Sequence, residues 1–205
     1  MIVTWYGEGC FKFQSGDRTV LTDPLGNETG LVPYRGKTDV VVHTMRPFPA
    51  PYAPSQEGFV ALGPGEYEIQ GITLEGWPAA PHAHEEGSIT AFYRFVMEEM
   101  RIGIVGYGSA ARESMLEYLG GLDVLLVPAG GAPFIPEEEA AKLVKQLEPK
   151  LVIPSFFKVP GLARKAGAVT EFLAELGQKE GGAVEKFVVK KKDVPATMRV
   201  VVLTM

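Results

Sequence analysis

The second half of the chain alternates short apolar runs with amphipathic stretches, and this alternation constrains the fold more than any other feature. Residues 123–128 (DVLLVP) are a continuous apolar run between an acid and a proline, the pattern of a buried strand. Residues 136–147 then carry helical spacing. Pro136 suits a first helical position, because its missing N–H has no partner to lose there. Glu137, Glu138 and Glu139 occupy the first turn, where the helix dipole favours acids. Ala140, Leu143, Val144 and Leu147 fall on one face. Residues 151–154 are the next buried strand. Residues 112–119 and 170–176 predict helices, and 184–190 and 198–203 predict closing strands.

The first half has a different texture. Residues 2–6, 10–14, 18–22 and 40–43 read as strands, with a hairpin turn at Ser15-Gly16-Asp17. Pro47, Pro49, Pro51 and Pro54 then predict an interruption of regular structure. A proline-dense loop of this length in a compact domain is more often functional or covering than idle. Residues 59–62, 67–70 and 72–75 read as short strands of a meander. Residues 88–97 and 101–105 read as a hairpin around Glu98-Glu99. A mostly β half and an alternating half are satisfied together by an α+β architecture: two mixed sheets packed face to face, with helices outside. No internal repeat and no separating linker is present, so residues 1–205 predict one domain.

Composition narrows the function classes. Hydrophobic residues make up 46% and charged residues 22%, ordinary values for a globular protein. The net charge of -5 repels phosphate backbones and disfavours general nucleic-acid binding. Lys186, Lys190, Lys191 and Lys192 form a basic segment that reads as a solvated strand and turn. Cys10 is the one cysteine, so no intrachain disulfide forms, and it reads as a small packed hydrophobe. No basic leader followed by an apolar run is visible, and no apolar stretch approaches ~20 residues. The expectation is a cytoplasmic protein with no membrane segment. The partner is unknown from sequence, and a homo-oligomer is compatible with it.

Several stretches, in order, resemble the metallo-β-lactamase fold superfamily, and within it the small bacterial zinc-dependent hydrolases related to L-ascorbate-6-phosphate lactonase. Thr4-Trp5-Tyr6-Gly7-Glu8-Gly9-Cys10-Phe11 is similar to that branch's opening T-W-x-G-H-S-C-F. Asp23-Pro24 resembles its D-P after the second strand, and Pro64-Gly65-Glu66 its P-G-E turn. DVLLVPAGG at 123–131 resembles D-x-x-x-x-P-x-G-G. Glu138-Ala140-Ala141 followed by PKLVIP at 149–154 resembles its E-A-A helix and P-K-x-V-I-P strand. The likeness runs over roughly residues 1–158; each piece alone is weak, and the five in register are specific. It implies an αββα four-layer sandwich.

The family's hydrolases hold one or two metals with T-H-x-H-x-D-H after a strand. Such a site needs imidazoles and carboxylates converging on the ion with one position open for water. Matching residues 39–42 to the family strand puts His43 on the motif threonine. The ligand positions then fall on Thr44, Arg46, Phe48 and Pro49. Glu8 stands for the opening histidine, Tyr107 for a bridging aspartate, and Phe156 for the last histidine. The segment 78–84 resembles one that carries a further histidine, with spacing off by one, which leaves His82 or His84. The resemblance thus implies a cleft formed by Glu8, Asp23, His43, Thr44, Arg46, Phe48, Tyr107 and Phe156 with most metal ligands replaced.

Plainer readings stand beside these. Asp23 caps the turn before Pro24, His43 is a strand-end residue, and His82 and His84 are solvated. Three functions compete. The first is a domain without cofactor used for binding or structure. The second is a metal-dependent hydrolase, with zinc as the alternative cofactor, whose site is rebuilt from Glu8, Asp23, His43, His82 or His84. The third is an apolar pocket lined by Trp5, Phe48, Trp77, Tyr107 and Phe156, with a filled core as its simpler form.

Overall fold

A computed structural model describes residues 1–47, 58–61, 63–79, 87–107, 112–179 and 181–205. Its strands are β1 (Ile2–Trp5), β2 (Phe11–Ser15), β3 (Arg18–Thr22), β4 (Val40–Val42), β5 (Met45–Pro47), β6 (Phe59–Ala61) and β7 (Gly65–Ile69). They continue with β8 (Ile72–Pro78), β9 (Ser88–Met97), β10 (Met100–Ile104), β11 (Val124–Pro128), β12 (Leu151–Ser155), β13 (Lys186–Val188) and β14 (Arg199–Val200). The helices are α1 (Arg112–Tyr118), α2 (Glu137–Leu147) and α3 (Val169–Glu175).

Two sheets result, in the orders β13-β1-β2-β3-β4-β6 and β14-β12-β11-β10-β9-β8-β7, with β5 attached to β9. Both mix parallel and antiparallel pairs: β3, β4 and β6 run parallel, as do β10, β11, β12 and β14. Alternation along the strands delivers Phe13 of β2 and Phe95 of β9 to the shared interior, where their rings meet edge to face at 5.1 Å. Each such wholly buried phenylalanine contributes roughly 1.5–3 kcal/mol relative to exposure. β11 and β12 are buried on both faces, as their unbroken apolar runs predict, because helices cover them from outside. α2 presents Ala140, Ala141, Leu143, Val144 and Leu147 to the core. The turn between β9 and β10 places Glu98 and Glu99 at φ 51° and 62°, the left-handed pair that a two-residue hairpin requires.

Four expectations change. An unexpected strand precedes the proline-dense segment: β5 pairs antiparallel with β9, and Pro47 is its last residue, where a missing N–H is tolerated, while Pro49, Pro51 and Pro54 lie outside the described residues. The first supposed meander strand, β6, pairs parallel with β4 in the other sheet, because residues 58–61 return to the edge of the six-stranded sheet. Pro136 is extended, at ψ 150°, and precedes the helix rather than beginning it. The two closing strands shrink to β13 and β14, which lie in different sheets. Within the basic segment, Lys191 makes an ion pair of 2.6 Å with Asp123. Cys10 is fully buried, and burial pushes its thiol up to about 12. No helix among the described residues is long and apolar enough to cross a membrane.

Candidate functional site

The turn after β1 and the ends of β3, β4, β10 and β12 meet at one mouth of the sandwich. The turn is closed by Tyr6 N–H donating to the Cys10 carbonyl and by Cys10 N–H donating to that of Gly7, both at 2.9 Å. Thr22 pins it from β3: its hydroxyl donates to the Gly9 carbonyl at 2.5 Å and accepts from Phe11 N–H at 3.0 Å. One residue later, Asp23 turns away from the ladder with φ 34°.

Asp23 is buried and fully engaged with Thr44. The Thr44 N–H donates to Oδ1 at 2.7 Å, and the Thr44 hydroxyl donates to Oδ2 at 2.8 Å. The same hydroxyl oxygen accepts from Tyr107 N–H at 3.1 Å, which ties the end of β10 to this pair. Burial raises the Asp23 carboxyl to about 7, against the opposing hydrogen bonds from Thr44. Asp23 therefore does more than cap the turn before Pro24; it fastens three strand ends. Gly106 is required beside it, since a Cβ there would run into the Thr44 side chain.

Phe156 fills the middle. It follows β12 with φ 56°, an uncommon conformation for a bulky side chain. Its ring centroid is 4.0 Å from that of Phe134 and 5.2 Å from that of Tyr107, the latter edge-on. A Cβ on Gly9 would meet both this ring and the Asp23 carboxylate, so ring and carboxylate face each other across a glycine. Phe156 N–H donates to the Glu8 carbonyl at 3.2 Å, and Trp5 Nε1 donates to the same carbonyl at 2.9 Å.

Glu8, also left-handed at φ 51°, is buried and answered by a residue that sequence reading passed over. Arg164 Nε donates to Glu8 Oε2 at 2.9 Å and Nη2 to the Phe156 carbonyl at 2.6 Å, while the guanidinium lies 4.9 Å from the Phe134 ring centroid. Glu8 Oε1 is buried without a partner, and burial holds the Glu8 carboxyl above its ordinary range despite Arg164. The partners are 156 positions apart, so no local spacing announces them.

The structure brings Glu8, Asp23, Thr44, Tyr107 and Phe156 together. His43 and Arg46 lie toward β9; burial and then Arg46 lower the His43 imidazole to about 4. Trp77 is elsewhere: it stacks on Phe92 and on Tyr118 of α1, on the outer side of the eight-stranded sheet, which removes it from the pocket expected above. Phe48, Pro49, His82 and His84 lie outside the described residues.

A domain model described as the β-lactamase superfamily domain matches residues 2–155. The chain belongs to that superfamily. It is similar in fold to a protein from Thermotoga maritima assigned as a zinc-dependent hydrolase of the metallo-β-lactamase superfamily, at 23% identity, 98% and 97% coverage of the two chains, and a TM-score of 0.74. A metallo hydrolase from the archaeon Ignicoccus hospitalis matches at 16% identity, 92% and 99% coverage and a TM-score of 0.60. The metallo-β-lactamase fold protein YhfI of Bacillus subtilis matches at 12% identity, 86% and 94% coverage and a TM-score of 0.61. No curated protein sequence matches the chain.

The superfamily implies a metal, and the donor set here can be tested against one. Among the described residues no three His, Cys, Asp or Glu side chains gather. Both Asp23 oxygens already accept from Thr44, Glu8 Oε2 accepts from Arg164, and the central side chain is a phenyl ring. A zinc site needs three or four converging nitrogen, sulfur or carboxylate donors. The described residues do not fit one.

Proposed function

We propose that this superfamily member uses its cleft for binding or structure rather than for metal-dependent hydrolysis, with packing and internal hydrogen bonds in place of coordination. The observation that carries the reading is Phe156. Its ring occupies the centre of the mouth between Phe134, Tyr107 and the Asp23 carboxylate, and its strained backbone is held by Glu8 and Arg164.

Two other facts support it. The described non-glycine residues with left-handed backbone are Glu8, Asp23, Gln70, Glu98, Glu99, Glu148 and Phe156. Gln70, Glu98, Glu99 and Glu148 belong to hairpin turns and a helix end; Glu8, Asp23 and Phe156 meet at the mouth. Backbone strain collects at functional positions, so the mouth keeps the backbone of a working site while its side chains pack. The Arg164 guanidinium also supplies a fixed positive charge between Glu8 and the Phe156 carbonyl, which an ion does in a metal centre.

The test is metal analysis of tag-free protein, joined to turnover assays with phosphodiester, lactone and β-lactam substrates. Substoichiometric metal with no turnover is expected. Stoichiometric zinc, manganese or iron that disappears on mutating His82 and His84 would overturn the reading in favour of a rebuilt hydrolase. Phe156→Ala should cost about 3–5 kcal/mol of unfolding free energy if the ring is a filled core, and far less if the mouth is an open cleft.

A further inference from the structure

We propose that the Arg46 guanidinium and the Tyr93 hydroxyl, which project between the sheets beside β5, bind a small oxyanion, a carboxylate or a phosphate group. This deepens the reading above and rests on it, since it assigns the cleft a ligand class in the absence of a metal.

Ladder register places the two groups on one face. Arg46 stands opposite Ile89 in the β5–β9 pair, and residues directly opposite in an antiparallel ladder project to the same face. Ile89, Ala91, Tyr93 and Phe95 alternate onto that face. It is the inner one, because Phe95 meets Phe13 of the facing sheet. Arg46 and Tyr93 therefore both enter the inter-sheet space. Tyr93 is wholly buried and leans over Gly76, where a Cβ would strike its ring.

Both groups end in unanswered donors. Arg46 Nη1 and Tyr93 OH are cut off from solvent and have no hydrogen-bond partner. No carboxylate among the described residues comes within 4.0 Å of Arg46, the separation that defines its ion pairs. The nearby acid cannot serve: both oxygens of Asp23 are taken by Thr44. Tyr67 is turned away, donating its hydroxyl to the Gly63 carbonyl at 2.7 Å. His43 is neutral near pH 7 beside Arg46 and brings no countercharge.

A buried guanidinium nitrogen without an acceptor is disfavoured, as is a buried hydroxyl without a partner. One negatively charged acceptor answers both. A guanidinium presents a planar fork of donors suited to two oxygens of one group, and the phenol adds a further donor. Donors without a facing acid select an anion, and the planar fork selects an oxyanion. Arg46 is half-buried at the end of the ladder, so the ligand's charged head would sit inside with the rest toward solvent.

The experiment is calorimetric titration of tag-free, chelator-treated full-length chain with inorganic phosphate and, separately, with acetate. The variants are Arg46→Met and Tyr93→Phe, each checked for a wild-type circular dichroism spectrum. Saturable one-to-one binding of at least one anion is expected, with Arg46→Met weaker by about tenfold or more and Tyr93→Phe weaker by several-fold. Preference for phosphate would mark a phosphorylated ligand, and preference for acetate a carboxylic acid; either supports the site. Absence of saturable binding to wild-type protein would overturn the inference, and a raised melting temperature in Tyr93→Phe would then show that the buried hydroxyl is a cost without a ligand. Equal affinity in wild type and Tyr93→Phe, should Arg46→Met not fold, would overturn it too. Metal content is measured on the same preparation before chelation. Stoichiometric metal would sink the metal-free reading, whereas loss of anion binding from metal-poor protein would sink only the oxyanion site.

Discussion

Thr44 grips Asp23 twice, with its backbone N–H on one carboxylate oxygen and its hydroxyl on the other, at 2.7 and 2.8 Å. The hydroxyl also receives the Tyr107 N–H, so one side chain joins the ends of β3, β4 and β10. Thr44→Val keeps the shape and removes the hydroxyl. A buried carboxylate oxygen and a backbone N–H each lose a partner. We expect a loss of about 1–3 kcal/mol in unfolding free energy by urea titration. A loss below about 0.5 kcal/mol would mean the pair does not hold the mouth closed.

The largest contributions to the pH dependence of stability come from two buried groups with opposite signs, Asp23 and His43, and buried Glu8 adds a contribution of the same sign as Asp23. Asp23 binds its proton more tightly when folded, so its contribution is full below pH ~4 and is lost as pH rises through about 7. His43 resists protonation when folded. Its contribution is full above pH ~6.5 and is lost as pH falls toward about 4. Between those limits the slopes oppose and flatten the wild-type profile. Asp23→Asn should expose the histidine, leaving stability that rises from pH 4 to 6.5. His43→Gln should expose the aspartate, leaving stability that falls over pH 4 to 7. Urea titrations at several pH values check both, and parallel profiles for the two variants would contradict the assignment.

Arg164 and Glu8 offer a double-variant test. The Glu8 side chain is 6% exposed and that of Arg164 25%, so the carboxylate depends on this one cation. Arg164→Met leaves it buried and unanswered, and the cost should approach the lower end of the about 3–5 kcal/mol known for broken buried pairs, since Arg164 reaches solvent. Adding Glu8→Gln removes the charge and should return part of that loss. If the double variant is as unstable as the sum of the singles, the two side chains are not coupled.

Much of the fold was legible because it rests on patterns that survive without context. Residues 123–154 read correctly as strand, helix and strand because their apolar periods match what two buried strands and a one-faced helix need. The hairpin at Glu98-Glu99 read correctly from alternation alone, although neither turn residue is glycine. Strand β5 did not, because three residues ending in proline carry no period, and its pairing comes from β9, more than 40 positions away. The partner of β6 was missed for a similar reason: a short apolar run does not say which sheet edge it will join.

The site divides in the same way. The resemblance gathered Glu8, Asp23, His43, Thr44, Arg46, Phe48, Tyr107 and Phe156 as one cleft; folding brings Glu8, Asp23, Thr44, Tyr107 and Phe156 to one mouth, sets Arg46 on the strand beside β9, and Phe48 lies outside the described residues. The sequence, read with that resemblance, determined which residue types stand at the mouth: Glu8, Thr44 and Phe156 in place of imidazoles, Tyr107 in place of a carboxylate, and Asp23 kept. Only the tertiary structure decided how those groups answer one another. It turned Phe156 inward through a left-handed backbone and spent both Asp23 oxygens on Thr44. It carried Arg164 across the fold to Glu8 and left Arg46 Nη1 and the Tyr93 hydroxyl without hydrogen-bond partners between the sheets. The physical reason is range. Propensity and periodicity act over a few residues, whereas burial, charge pairing and hydrogen-bond satisfaction are fixed by neighbours that the chain brings together from up to 188 positions apart.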